Sequence, residues 1–134
     1  PLLTETGGAA KARIVMATVE GDIHDIGKNI VCLMLKNHGF EVIDLGKDVS
    51  AARIVEAAEE HKAAVIGLSA LMTTTMVRME DTVRLLRDKG LAIPVMVGGA
   101  VVTEAFAKSI GAAAYATDAV DAVRQAKALA GGAA

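Results

Sequence analysis

Short apolar segments alternate with longer segments of helical periodicity from residue 13 onward. The short segments are continuously apolar, as expected for strands that are covered on both faces. They predict five strands, at residues 13–19, 41–45, 64–69, 93–97 and 113–116. The longer segments carry apolar residues at i, i+3, i+4 and i+7, which predicts a helix after each strand. In the first helix the pattern places Gly27, Ile30, Val31 and Met34 inward and Lys28 elsewhere.

The remaining helices have local start and stop signals. Ser50 is the predicted N-cap of the second helix. A third helix is predicted over about 75–89, a short fourth helix over 103–110, and a last helix after Thr117 and Asp118. Five β–α units in sequence predict an α/β fold with a doubly wound parallel sheet and right-handed crossovers. At this length they favour the five-stranded flavodoxin-like order 2-1-3-4-5. We expect one domain over 13–130, a tether at 1–12 and a frayed tail at 131–134.

Composition removes several classes of function. A net charge of −2 gives no basic surface for a nucleic-acid partner. No apolar run approaches the ~18–20 residues of a membrane span, so no membrane partner is expected. A single cysteine, Cys32, excludes an intramolecular disulfide and a multi-cysteine metal site. These features predict a cytoplasmic domain.

Unusual residues follow three strands that are adjacent in the predicted sheet. Residues 20–29 place His24 among acidic side chains, residues 69–75 are rich in hydroxyls, and strand 4 ends in Gly98 and Gly99. Each feature alone has an ordinary structural explanation as a helix cap, a turn or a solvated loop. Their coincidence at the carboxyl edge, where open parallel sheets bind ligands, indicates a site.

Familiar uses of this fold do not match these residues. A phospho-receiver needs an aspartate at the end of strand 3, where Ser69 stands, and a flavodoxin needs a Thr/Ser/Gly-rich loop where this chain is acidic. Ser69 also lacks the G-x-S-x-G elbow of a hydrolase. One histidine cannot build a zinc site, but it can be an axial ligand of a macrocycle-held metal, with Asp22 accepting its second ring proton.

The combination of Asp22-x-His24-x-x-Gly27, Ser69-x-Leu71 and Gly98-Gly99 resembles the motifs of cobalamin-binding domains. Residues 21–31 (GDIHDIGKNIV) and 68–76 (LSALMTTTM) are similar to the methyl-transferring branch, which includes methionine synthase. The second segment most resembles the small corrinoid proteins of methyltransferase systems. The resemblance covers about residues 13–130.

The resemblance implies a base-off, His-on corrinoid with His24 as the lower axial ligand of cobalt and a benzimidazole-type tail in a slot between strands 1, 3 and 4. Asp22, His24 and Thr75 would form a ligand relay that takes up a proton when cobalt loses its lower ligand. Small residues, Ala70 among them, would leave the slot open. The cofactor-binding set it implies is Asp22, Ile23, His24, Asp25, Ile26, Gly27, Gly67, Ser69, Leu71, Thr73, Thr75, Gly98, Gly99, Ala100, Val101, Tyr115 and Ala116.

The implied function is that of a methyl carrier, a component of an enzyme system rather than a complete enzyme. Its partners would be a substrate-specific methyltransferase, a second methyltransferase serving an acceptor such as tetrahydrofolate or a thiol, and a reductive activation protein. Relatives usually carry a helical cap domain, of which residues 1–12 would be a remnant. The alternatives are the small subunit of an adenosylcobalamin-dependent mutase and a cobalamin-sensing domain. The methyl donor, the acceptor and the corrinoid's lower base are left open.

Overall fold

The computed structural model describes residues 12–132, in which five strands alternate with six helices. The predicted tether up to residue 11 and residues 133–134 lie outside the described range. The elements, in chain order, are β1 (Arg13–Thr18), α1 (Ile26–Asn37), β2 (Glu41–Asp44), α2 (Ala51–Glu60), β3 (Val65–Ser69), α3 (Thr73–Met76), α4 (Arg78–Asp88), β4 (Val95–Gly98), α5 (Glu104–Ile110), β5 (Ala114–Tyr115) and α6 (Ala119–Gly132).

The five strands form one parallel sheet in the order β2-β1-β3-β4-β5, which confirms the predicted topology. Alternate residues of each strand point to opposite faces, so the sheet separates two apolar layers. Val15 and Ala17 pack toward α2, α4 and α5, whereas Ile14 and Met16 pack toward α1 and α6. The first connection runs from β1 outward to β2 and the next returns to β3, which places the topological switch between β1 and β3.

The buried face of α1 differs from the predicted one by about one residue. Lys28, Cys32 and Leu35 are buried, whereas Ile30 is exposed. The predicted inward residues Gly27, Ile30 and Val31 instead face a cavity beside the helix. The predicted apolar face therefore lies at the border of the core: Val31 and Met34 pack against the core, while Gly27, Ile30 and Val31 line the cavity.

Lys28 is buried because Asp44 neutralises it. Its Nζ lies 2.5 Å from Oδ1 of Asp44 at the end of β2, and a buried cation of this kind requires such a partner. The nearby thiol of Cys32 is also buried, and burial, with the Asp44 charge, raises its pKa to about 11. Cys32 is therefore a protonated packing residue at neutral pH.

Three helix boundaries differ from the prediction. The helix predicted over 75–89 is two helices, α3 and α4, which are joined at Val77. The last helix, α6, continues to Gly132, into the segment predicted to fray. The predicted cap Ser50 is present and accepts from the amide of Arg53. Thr103, predicted as the first residue of its helix, is instead the N-cap of α5 and accepts from the amide of Phe106. No helix among residues 12–132 combines the length and apolarity needed to cross a bilayer.

Candidate functional site

A tight turn after β1 carries Asp22 into the interior. The Asp22 amide donates to the Val19 carbonyl at 3.0 Å, and Gly21 sits in this turn at φ +87°. Residues that have a side chain rarely adopt this positive φ, whereas glycine adopts it readily. The turn buries the Asp22 carboxylate completely at the carboxyl edge of the sheet, beside the topological switch.

Four donors surround the buried carboxylate of Asp22. Its Oδ1 accepts from the His24 amide at 3.0 Å and lies 2.7 Å from His24 Nδ1. Its Oδ2 accepts from the Leu71 amide at 2.8 Å and from the Thr75 hydroxyl at 2.6 Å. One side chain therefore joins the loop after β1 to the loop after β3 and to α3.

These donors determine the ionisation of Asp22. Burial favours the neutral acid, but the hydrogen bonds from Thr75, the Leu71 amide and both groups of His24 outweigh it and hold the Asp22 pKa well below its usual range. Asp22 is therefore an anion at neutral pH. An anionic acceptor fixes the proton of His24 on Nδ1, which leaves Nε2 as the nitrogen with a free lone pair in the neutral ring.

The His24 ring lies at the mouth of a cavity. Its side chain is 47% exposed, and the ring is part of the lining. The cavity has a volume of about 400 Å³ and lies between α1, α6 and the carboxyl ends of β3, β4 and β5. Its lining residues are Met16, His24, Gly27, Lys28, Ile30, Val31, Gly67, Leu68, Ser69, Leu71, Met96, Val97, Gly98, Gly99, Ala100, Tyr115, Ala116, Thr117, Asp118, Ala119 and Ala122.

Small residues keep the floor of this cavity open. A Cβ atom on Gly67 would lie 2.3 Å from the sulfur of Met16 and would displace that side chain. A Cβ atom on Gly98 would lie 3.4 Å from the carbonyl oxygen of Ala116. Ala70, predicted to leave the slot open, instead belongs to the core on the opposite face of the sheet.

The structure brings most of the predicted site residues to the cavity, but not all of them. Ten line it: His24, Gly27, Gly67, Ser69, Leu71, Gly98, Gly99, Ala100, Tyr115 and Ala116. Asp22 and Thr75 lie behind His24 in its hydrogen-bond network. Ile23, Asp25, Ile26, Thr73 and Val101 are not among the lining residues.

The predicted site set did not include the other eleven lining residues, and two pairs among them show why. Met16 and Met96 occupy the floor, and strand periodicity does not distinguish such positions from ordinary core. Thr117 and Asp118 lie in the loop after β5 at the same carboxyl edge, a position that could have marked them. Their loop is fixed because the Thr117 amide donates to Asp121 and the Asp121 amide to Asp118.

Thr75 offers a direct test of this network. We expect Thr75→Val to lower the free energy of unfolding by about 1.5–3 kcal/mol, since it removes a donor to a buried anion. Thr75→Ser keeps the hydroxyl and is the matched control, with an expected loss below about 1 kcal/mol. Urea denaturation of the three proteins measures the difference. A Thr75→Val protein that loses no more stability than Thr75→Ser would contradict a dominant role of the hydroxyl in this network.

Comparison with known proteins identifies the family. The model of the B12 binding domain matches residues 12–124. The chain belongs to the B12-binding domain family. The resemblance of the motifs to cobalamin-binding domains is thereby confirmed.

Individual relatives of this B12-binding domain are also similar over most of its length. Dimethylamine corrinoid protein 2 of Methanosarcina acetivorans is 54% identical over 118 residues, which cover 87% of this chain and 55% of the relative. The solved cobalamin-binding protein of Desulfitobacterium hafniense is 41% identical, with a TM-score of 0.86, over 89% of this chain and 59% of that one.

A third similar protein is a chain of the methanol:cobalamin methyltransferase complex of Methanosarcina barkeri. It has a TM-score of 0.89 and 36% identity, and the match covers 96% of this B12-binding domain and 50% of that chain. The present chain thus spans between half and three fifths of the length of these three proteins. The two solved structures share its fold, so the predicted flavodoxin-like fold class is confirmed.

Proposed function

We propose that this chain binds a corrinoid with His24 as the lower axial ligand of cobalt and the cofactor's own base displaced into the cavity. The observation that carries the proposal is the arrangement of His24. Its Nδ1 is held by the buried anion of Asp22, and its half-exposed ring stands at the mouth of a glycine-floored cavity. A benzimidazole-type base is the proposed occupant of that cavity.

The residues present fit such a cofactor. A cavity of about 400 Å³ is within the range of small-molecule sites. Gly67, Gly98 and Gly99 have no side chains, so they leave room for a flat group against the strand ends, beside the side chains of Met16 and Met96. The single imidazole supplies one axial ligand, and a corrin ring supplies the remaining equatorial ligands of cobalt.

The network behind His24 governs the availability of its Nε2. When bound, the corrinoid supplies a cobalt atom that accepts and donates a methyl group. The ionised Asp22 favours a neutral His24 that carries its proton on Nδ1 and is a stronger donor through Nε2. The Thr75 hydroxyl donates to the other oxygen of the same carboxylate and holds it in place. Asp22 and Thr75 therefore keep the Nε2 of His24 directed away from the network and available as a ligand.

We further propose that the chain is a methyl carrier rather than a complete enzyme. Support comes from a relative named as a dimethylamine corrinoid protein and from the similar chain in a methanol:cobalamin methyltransferase complex. The proposed partners are a substrate-specific methyltransferase, a second methyltransferase that serves an acceptor such as tetrahydrofolate or a thiol, and a reductive activation protein. The proposed compartment is the cytoplasm.

The test is a visible absorption titration of the purified chain with hydroxocobalamin. We expect uptake by the unmodified protein and a spectrum that differs in His24→Ala, because that variant lacks the imidazole ligand. His61→Ala is the matched control, since His61 lies at the C-terminus of α2, outside the cavity lining. If the unmodified protein takes up no corrinoid, the proposed function fails; if His24→Ala gives the same spectrum, His24 is not the ligand.

A further inference from the structure

The loop between β2 and α2 contacts the loop between β1 and α1, which carries His24 and is called the His24 loop below. The contacts are made at Gly21 and Asp22. We call residues 45–50 the β2–α2 loop. Its Asp48 carboxylate accepts from the Gly21 amide at 2.7 Å, and the Asp48 amide donates to the Asp22 carbonyl at 3.0 Å. These two bonds fix the backbone at Gly21 and at Asp22, the residue that orients His24.

Asp48 adopts an unusual backbone conformation to make these contacts. Its φ is +55°, a left-handed conformation that aspartate and asparagine tolerate better than most side chains. Residues held in this region tend to be fixed by their surroundings. Here the surroundings are the neighbouring bonds from the Val49 amide to the Thr18 carbonyl and from the Thr18 amide to the Gly46 carbonyl, at 3.1 and 2.9 Å.

The other end of the β2–α2 loop is attached to α1. Asp44 Oδ1 accepts from the Gly46 amide at 2.9 Å and also pairs with the buried Lys28. Lys28 belongs to the first turn of α1, the helix that begins two residues after His24. The loop is therefore joined to the chain before His24 through Asp48 and to the chain after it through Asp44.

We propose that Asp48 is a positioning residue that, through Gly21 and Asp22, holds His24 at the mouth of the cavity. The effect on ligand binding rests on the function proposed above, whereas the effect on the His24 loop itself does not. Asp48 is absent from the cavity lining, so its influence passes through the backbone of residues 21 and 22. Loss of its carboxylate should weaken ligation by His24 without removing any group that lines the cavity.

Three variants separate the carboxylate from the backbone conformation. Asp48→Gly keeps the left-handed conformation but removes the acceptor, and Asp48→Asn keeps both an acceptor oxygen and tolerance of positive φ. Lys62→Gly is the matched control, because Lys62 is the other described non-glycine residue with positive φ, at +53°, and it follows α2 outside the cavity lining.

Hydroxocobalamin titration followed by visible absorption gives the first readout. We expect Asp48→Gly to need about fivefold more hydroxocobalamin for half-saturation, equivalent to about one hydrogen bond. A larger share of its bound corrinoid should show the His24→Ala spectrum. Asp48→Asn and Lys62→Gly should match the unmodified protein in both respects. Unchanged binding and spectrum in Asp48→Gly, or a defect as large in Asp48→Asn, would overturn the proposal.

Amide hydrogen exchange of the unmodified, corrinoid-free chain gives a second readout that needs no folded variant. We expect the Gly21 amide to exchange at least about tenfold more slowly than in an unstructured peptide, because Asp48 accepts its hydrogen bond. Exchange at the peptide rate would overturn the proposal. If the unmodified chain takes up no corrinoid, the function proposed above fails and the exchange rate alone decides the role of Asp48.

Discussion

Replacement of Asp22 by Asn should lower the free energy of unfolding of the corrinoid-free chain by about 3 kcal/mol. The carboxylate is completely buried and accepts from four donors, two on each oxygen. An Asn side chain has a single acceptor oxygen, so its amide nitrogen must face two of those donors. With the oxygen toward His24, the Leu71 amide loses its acceptor while the Thr75 hydroxyl can rotate to accept.

The difference between the two proteins should depend on pH in a defined direction. The pKa of Asp22 is lower in the folded chain than in the unfolded chain, so its anion stabilises the fold fully above the unfolded pKa of about 3.9. That contribution is lost as the pH falls toward the folded pKa. The stability difference between Asp22 and Asp22→Asn should therefore be constant above about pH 5 and decrease below about pH 4.

Urea denaturation between pH 3 and pH 8 measures both effects. Asp25→Asn is the matched control: Asp25 lies in the same loop, at the N-cap of α1, but its side chain makes no capping hydrogen bond. We expect that variant to remain within about 0.5 kcal/mol of the unmodified protein at neutral pH. An Asp22→Asn protein as stable as Asp25→Asn would contradict the role of Asp22 as the centre of the network.

Much of the fold could be predicted because periodicity and glycine stops are local signals. The order of the strands followed from five consecutive β–α units and is confirmed. The orientation of α1 was less predictable, since the pattern placed Lys28 outside the apolar face although it is buried against Asp44. A sequence pattern counts lysine as polar and does not show a partner sixteen positions away.

The helix after β3 illustrates a second limit. Periodicity predicts one helix over 75–89, whereas the structure has α3 and α4. Thr75 is at the centre of the difference, because its hydroxyl donates to Asp22 at 2.6 Å and also lies 3.1 Å from the Met72 carbonyl oxygen. The long-range bond to Asp22 holds this turn against the site, and such a contact leaves no trace in helical periodicity.

The candidate site was predictable as far as its motifs extend. Asp22, His24 and the glycines were marked by unusual residues at strand ends, and the structure places them together. The support for the His24 loop was not marked, because the sequence shows Asp48 as an ordinary surface carboxylate and does not show that this carboxylate accepts from the Gly21 amide of another loop. Backbone hydrogen bonds depend on the approach of two loops, which only the fold determines.

Gly99→Ala should destabilise the chain by about 4 kcal/mol, the largest loss expected for a single methyl group in this structure. Gly99 has φ +129°, a backbone conformation that residues with a side chain rarely adopt. In addition, a Cβ atom on Gly99 would lie 1.9 Å from the carbonyl oxygen of Ala70. That oxygen belongs to the backbone after β3, so the clash cannot be relieved by rotation of a side chain. Thermal unfolding followed by circular dichroism measures the loss.

Gly27→Ala is the matched comparison, because Gly27 belongs to the same motif set but is needed for a different reason. An added Cβ on Gly27 meets nothing within 4 Å, and alanine favours a helix by up to about 1 kcal/mol over glycine. The corrinoid-free Gly27→Ala chain should therefore be at least as stable as the parent. Because Gly27 lines the cavity beside His24, the same variant should take up hydroxocobalamin more weakly. Equal stability of the two alanine variants would contradict the steric role of Gly99, whereas unchanged uptake by Gly27→Ala would show that this glycine does not face the cofactor.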